Sequence, residues 1–157
     1  MTPGKKKTAS ISKGIPQDLS ALSFASRLTQ RAARLGFDWP DLSGVLEKME
    51  EELAEFREAL FLRDRRRIAE EFGDLLFVLV NVARFLRIDP EAALKRTIRK
   101  FNSRFLFVET SLQGKGKTLR QSNLDEMDRL WEEAKRRKIQ GKVKVEDKSK
   151  KARAKKS

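Results

Sequence analysis

An all-α protein is predicted by three features of this 157-residue sequence. It holds only four prolines and eight glycines, no tyrosine, and abundant Leu, Ala, Glu, Arg and Lys. Two stretches carry apolar residues at helical spacing: Leu46, Met49, Leu53, Phe56 and Leu60, then Ile68, Phe72, Leu75, Leu79, Val82 and Leu86. Start and stop residues bracket each helical stretch. The expected architecture is a bundle of about five helices around a central antiparallel hairpin, completed by oligomerisation.

Residues 1–16 combine Gly, Ser, Thr, Lys and Pro with little to bury, so they read as a disordered basic arm. Asp18 or Ser20 can cap a first helix to about Leu35, with Leu22, Ala25, Leu28, Thr29, Ala32 and Leu35 facing inward. Gly36 is a natural stop. Phe37-Asp38-Trp39-Pro40-Asp41 is then a turn, where Trp39 is either a core plug or a ligand contact.

Asp41 or Ser43 caps a second helix to about Leu62, and Asp64 caps a third to about Arg87. Gly73 lies inside the third, where glycine costs about 1 kcal/mol relative to alanine, so a close helix or a ligand is expected beside it. Asp89-Pro90 opens a fourth helix to about Leu112. Residues 113–118, Gln-Gly-Lys-Gly-Lys-Thr, lack the spacing and the preceding strand of a P-loop. A fifth helix runs from Leu124 to about Arg137 with Leu124, Met127, Leu130, Trp131 and Ala134 on one side. Trp131 reads either as a lid over the core or as a platform for a base. Beyond it the chain turns lysine-rich, which divides it into 1–16, a folded domain at 17–137, and a disordered tail at 138–157.

The chemistry concentrates on helices two and three. Glu51, Glu52 and Glu55 form an EExxE pattern, and Glu71 and Asp74 an ExxD pattern, each beside its apolar stripe. A solvated face is the ordinary reading of such acids. Here they border the packing seam and are expected to lack matching bases, with Arg63, Arg65, Arg66 and Arg67 crowding the turn instead. Carboxylates converging there would take a cation. With no histidine and no cysteine in the chain, imidazole and thiolate sites are excluded and the metal must be held by oxygen, so Mg²⁺ is expected and Mn²⁺ is an alternative. The same absences exclude Ser-His and Cys-His catalysis and any disulfide framework. Asn81 and Arg84 continue roughly the face of Asp74, and Lys100 and Arg104 sit one turn apart on helix four, as surface salt-bridge partners or as phosphate ligands.

The net charge is +13, but 1–16 hold +4 and 138–157 hold +7, so 17–137 retain only +2. The tails therefore offer weak, salt-sensitive contact with polyanions rather than sequence recognition. The longest apolar run, Leu75–Val80, is too short to span a bilayer and no signal-peptide core is seen, so a cytoplasmic protein without a membrane partner is expected.

These strings resemble the MazG family of nucleoside triphosphate pyrophosphohydrolases, within the wider all-α NTP pyrophosphatase group. The resemblance covers about 20–137 and rests on residues 31–41 (RAARLGFDWPD), 70–77 (EEFGDLLF), 80–84 (VNVAR) and 100–105 (KFNSRF). It implies Mg²⁺-dependent hydrolysis of a nucleoside triphosphate between its α and β phosphates. It also implies that Glu52, Glu55, Glu71 and Asp74 bind the metal, with Glu51 at the remaining acidic position and the preferred general base. Lys48, Arg67, Lys100, Arg104 and Trp131 match positions facing the nucleotide, although Arg67 replaces a frequent lysine. Familiar members often hold two copies of the domain, whereas one is seen here, and group members assemble as homodimers or larger. The alternatives are a related enzyme specific for dUTP or a modified nucleotide, and a non-enzymatic helical scaffold with nucleic-acid-binding tails.

Overall fold

Ser20 begins the first helix by accepting the backbone N–H of Ser23 on its hydroxyl at 3.2 Å. In the computed structural model, which describes residues 10–137, this helix is α1, Ala21–Arg34. It stops at Gly36, whose φ of +88° is a left-handed turn that favours glycine. α2, Leu42–Leu62, starts where Asp41 accepts the Gly44 N–H at 3.2 Å. α3, Arg65–Phe85, starts where Asp64 accepts the N–H groups of Arg66 and Arg67. Between them Arg63 takes the left-handed conformation at φ 55°, a turn short enough to fold α3 back along α2. Contacts across the hairpin run in antiparallel register, Arg67 to Glu58 and Phe72 to Phe56, whose ring centroids are 6.1 Å apart. α4, Pro90–Gly114, is capped by Asp89 through the N–H groups of Glu91 and Ala92.

The chain divides into two compact units, 1–94 and 95–157. In the first, α1 and α2 both pack on α3. Its buried set includes Val45, Glu52 and Ala59 on α2, Val78, Val80 and Asn81 on α3, and Thr29 on α1. The second unit holds most of α4, a 3-10 turn at Leu119–Gln121, and a further helix, α5, over 124–137. Its core is Val108, Leu112 and Leu130, with Leu119, Met127 and Trp131 packed against it.

The predicted all-α class is what the chain adopts, and no strand occurs among the described residues. Two expectations are corrected. The apolar stripes were expected to be buried, yet Leu46, Leu53, Leu60, Phe72, Leu79 and Leu86 are all exposed within the single chain. The hairpin instead turns Val45, Glu52 and Ala59 inward, residues seven apart that occupy the adjoining face of α2. Residues 10–16 were read as part of a disordered arm. Here Ile15 is buried, and Arg31 donates to the carbonyls of Ile11 at 2.8 Å and Lys13 at 2.6 Å. A guanidinium on α1 thus captures backbone acceptors of the segment that precedes the helix. Residues 1–9 and the tail at 138–157 lie outside the described residues.

Candidate metal and nucleotide site

The antiparallel register of α2 and α3 brings three acids together. Glu52, Glu55 and Glu71 each present a carboxylate oxygen within 4.8 Å of the others, with Glu52 buried and the other two half-buried. The i, i+3 spacing of Glu52 and Glu55 puts both on one face of α2, and Glu71 reaches them from α3. Asp74, one turn beyond Glu71, is exposed and stands outside this cluster, and Glu51 is also exposed. A Cβ on Gly73 would meet nothing within 4 Å, so the expected close helix neighbour is not there and the space beside the acids is open.

The expectation that these carboxylates lack bases is not met. Lys48 bonds Glu51 at 2.9 Å and Glu52 at 2.7 Å. Arg67 bonds Glu58 at 2.6 Å and Glu71 at 3.4 Å. The Glu52 carboxylate, followed by Glu51, holds the Lys48 ammonium well above the ordinary lysine range. Glu58, followed by Glu71, raises Arg67 in the same way. The Lys48–Glu52 and Arg67–Glu71 pairs have the i, i+4 spacing that joins neighbours on one helix face, which the expectation of unmatched acids overlooked. Glu58 was missed, because its link to Arg67 crosses the turn. Even so, the two bases are spread over four carboxylates, Glu51, Glu52, Glu58 and Glu71, and Glu55 makes no ion pair among the described residues. An all-oxygen donor set with a surplus of negative charge, partly withdrawn from water, suits a hard divalent cation.

Asn81 is buried further along α3. Its Nδ2 donates to the Phe77 carbonyl at 3.3 Å, and its Oδ1 accepts from Arg84 at 3.2 Å. Arg84 in turn grips Asp38 with both terminal nitrogens, at 2.8 and 2.5 Å, which anchors the 36–39 turn to α3. This contact, led by the Arg84 hydrogen bond, lowers the Asp38 carboxyl below its ordinary value.

The second unit carries its own basic and aromatic group. Arg104 lies 5.6 Å over the Trp131 ring, and Phe101 meets the same ring at 5.2 Å and 54°. The Arg104 Nε is buried without a hydrogen-bond partner among the described residues, while Lys100 is exposed. The Lys115 and Lys117 ammonium groups of the glycine-containing loop are engaged by Glu126 at 3.3 and 3.1 Å, so they form no phosphate cradle.

Residues 41–105 match the family described as the MazG nucleotide pyrophosphohydrolase domain. A protein of Thermotoga maritima named nucleoside triphosphate pyrophosphohydrolase/pyrophosphatase MazG is 46% identical over 132 residues, which cover 84% of this chain and 50% of that protein. The nucleoside triphosphate pyrophosphohydrolase of Escherichia coli K12 is 38% identical over 129 residues, 80% of this chain and 48% of its own length. YabN of Bacillus subtilis, an uncharacterized protein, is 52% identical over 65 residues, 41% of this chain and 13% of that protein. The chain thus spans about half the length of the first two relatives.

Proposed function

Residues 41–105 are a MazG-family domain, and on that premise we propose that the chain hydrolyses nucleoside triphosphates between the α and β phosphates, releasing a nucleoside monophosphate and pyrophosphate. The observation that carries this reading is the convergence of Glu52, Glu55 and Glu71 within 4.8 Å on facing helices. These three would hold Mg²⁺, with Asp74 as the fourth ligand by its place in the motif. An ion held there would supply charge neutralisation for phosphate oxygens and a more acidic water.

The remaining roles belong to the chain. Lys48 and Arg67, already charged and aimed at the acidic cluster, stabilise the negative charge that grows on the phosphates. Glu51, exposed and close to Lys48, takes the proton of the attacking water. Lys100, Arg104 and Trp131 are assigned to the nucleotide by the motif they match. The exposed Leu46, Leu53, Leu60, Phe72, Leu79 and Leu86 leave apolar area on the hairpin that a second copy would cover, which supports a homodimer or larger assembly.

The test is to incubate the full chain with a panel of ribo- and deoxyribonucleoside triphosphates and Mg²⁺ and to identify the products. Monophosphate with pyrophosphate is expected. Diphosphate with orthophosphate, or no turnover of any triphosphate, contradicts the reading.

A further inference from the structure

The tip of the α2–α3 hairpin exposes apolar side chains where a turn ordinarily carries polar ones. Leu60, Phe61 and Leu62 are consecutive in the last turn of α2 and all exposed. Phe61, at 85%, is the most exposed large apolar residue among the described residues. Single exposed apolar residues are ordinary, but three in a row at a helix end form a patch that marks a contact surface. Leu60 ends the stripe that a second copy would cover. Phe61 lies off that stripe: it follows Arg57 by four residues and Glu58 by three, which sets it on the polar face of α2. Pairing of two hairpins through the Leu46–Leu60 stripe does not account for it.

The free charge around the patch has one sign. Arg57, Arg63 and Arg65 are exposed, and their side chains enter no ion pair among the described residues. The nearby acids are already engaged. Asp64 accepts the N–H groups of Arg66 and Arg67, Glu58 is bonded by Arg67 at 2.6 Å, and Glu70 by Arg66 at 3.0 Å. Arg63 also holds the left-handed conformation at φ 55°, a position where glycine is the usual residue. A cation thus stands at the point of the turn against the local backbone preference.

Shape decides the class of partner. Residues 60–66 are all exposed, so the patch protrudes and offers no groove along which a nucleic-acid strand could run. An apolar point ringed by arginines matches the boundary of an anionic bilayer instead. Phe61 and Leu62 can enter the acyl region, while the guanidinium groups, on long apolar stems, stay at the phosphates. No helix among the described residues is long and apolar enough to cross a membrane, so the contact is made from one side. A small apolar insertion binds weakly by itself and gains from a second, electrostatic attraction. The basic segments supply that attraction, since 1–16 hold +4 and 138–157 hold +7.

We propose that the tip of the α2–α3 hairpin docks on an anionic lipid surface, with Phe61 and Leu62 inserting and Arg57, Arg63 and Arg65 contacting lipid phosphates. None of these residues belongs to the acidic site or to the nucleotide-facing set, so the docking point stands whether or not triphosphates are hydrolysed.

Co-sedimentation of the full chain with vesicles tests it, using phosphatidylcholine and phosphatidylserine in equal parts beside phosphatidylcholine alone. The chain should bind the mixed vesicles and not the neutral ones. Phe61→Ser/Leu62→Ser should weaken binding by about tenfold or more, because each inserted methylene adds to the affinity. Arg57→Gln/Arg63→Gln/Arg65→Gln should weaken it by a similar factor. The tails alone would attract anionic vesicles, so full binding by the Phe61→Ser/Leu62→Ser variant overturns the tip as the docking point. Insertion has its own readout. The chain contains no cysteine, so Phe61→Cys takes a single environment-sensitive fluorophore. Its emission should move to the blue with the mixed vesicles, while the same label at Glu50→Cys, about three turns back on α2, stays unchanged. No blue shift at Phe61→Cys, or an equal one at both labels, overturns insertion. Loss of a dimer in the Phe61→Ser/Leu62→Ser variant, seen by sedimentation, would make the tip a contact between copies. Binding of oligo(dT) that depends on Phe61 would make it a nucleic-acid contact. Either result overturns the lipid assignment.

Discussion

Glu126 and Glu52 are both carboxylates held against lysine, and they end in opposite states. Around Glu126 the bases are in excess. Lys115, Lys117 and the Ser122 hydroxyl all donate to it, and these bonds, led by Lys117 and then Ser122, pull its pKa down to about 2. On the α2–α3 hairpin the acids are in excess: Lys48 and Arg67 are spread over Glu51, Glu52, Glu58 and Glu71, and Glu55 stands beside them with no ion pair among the described residues. Clustered charge alone does not mark a site. A satisfied carboxylate has no capacity left for a ligand, whereas a group with surplus negative charge near a low-dielectric interior gains from a further cation.

The comparison is broken most sharply by catalysis. Glu52→Gln or Glu71→Gln should lower triphosphate hydrolysis by about 100-fold or more, given that even the partners of metal ligands cost 10–100-fold. Glu126→Gln should stay within about twofold of wild type. Steady-state rates, with circular dichroism to verify folding, check both. Equal losses in the two regions would erase the distinction.

A smaller effect concerns Lys48 in the absence of metal. The Glu52 side chain is only 8% exposed, so Lys48→Met leaves a buried carboxylate without its base. The expected cost is about 1–3 kcal/mol, the usual penalty for an unsatisfied buried polar group. Denaturant melts in EDTA measure it, and Mg²⁺ should recover most of the loss. No change in EDTA would mean that the Lys48 pair contributes nothing net.

The smallest effect belongs to Glu126. Its folded pKa lies below the ordinary 4.5, so its stabilising contribution is complete above that value and is lost as the pH falls toward about 2. Glu126→Gln should therefore melt below wild type at pH 6, and the difference should vanish as the pH approaches 2. A pH-independent difference would assign the effect to packing rather than to charge.

Much of the fold was legible because helix starts are local. Asp41, Asp64 and Asp89 each precede a helix and accept its first free N–H groups, and a proline follows Asp89. The choice of buried face was not legible. On α2 the Leu46–Leu60 stripe and the Val45–Glu52–Ala59 stripe lie side by side, and only the partner packed against the helix decides between them. The i, i+3 spacings revealed the acids, whereas the bases Lys48 and Arg67, at i, i+4 from Glu52 and Glu71, were not recognised as their partners. The Asp38–Arg84 pair joins residues 46 apart, so no local pattern announces it. Trp39 illustrates the limit: its place in a turn allowed either a plug or a contact, and in the fold it is half-buried beside a cavity.

Thermal melting with and without Mg²⁺ tests the surplus-acid account most directly, since an ion bound only by the folded chain stabilises it by mass action. Millimolar Mg²⁺ should raise the wild-type melting temperature by several degrees, because about 1 kcal/mol corresponds to roughly 2–8 °C for a domain of this size. Glu126→Gln should respond as wild type does, and Glu52→Gln/Glu55→Gln should lose the response. A wild-type curve that moves by no more than about 1 °C, or a double variant that responds in full, would contradict a folded-state cation site on this hairpin.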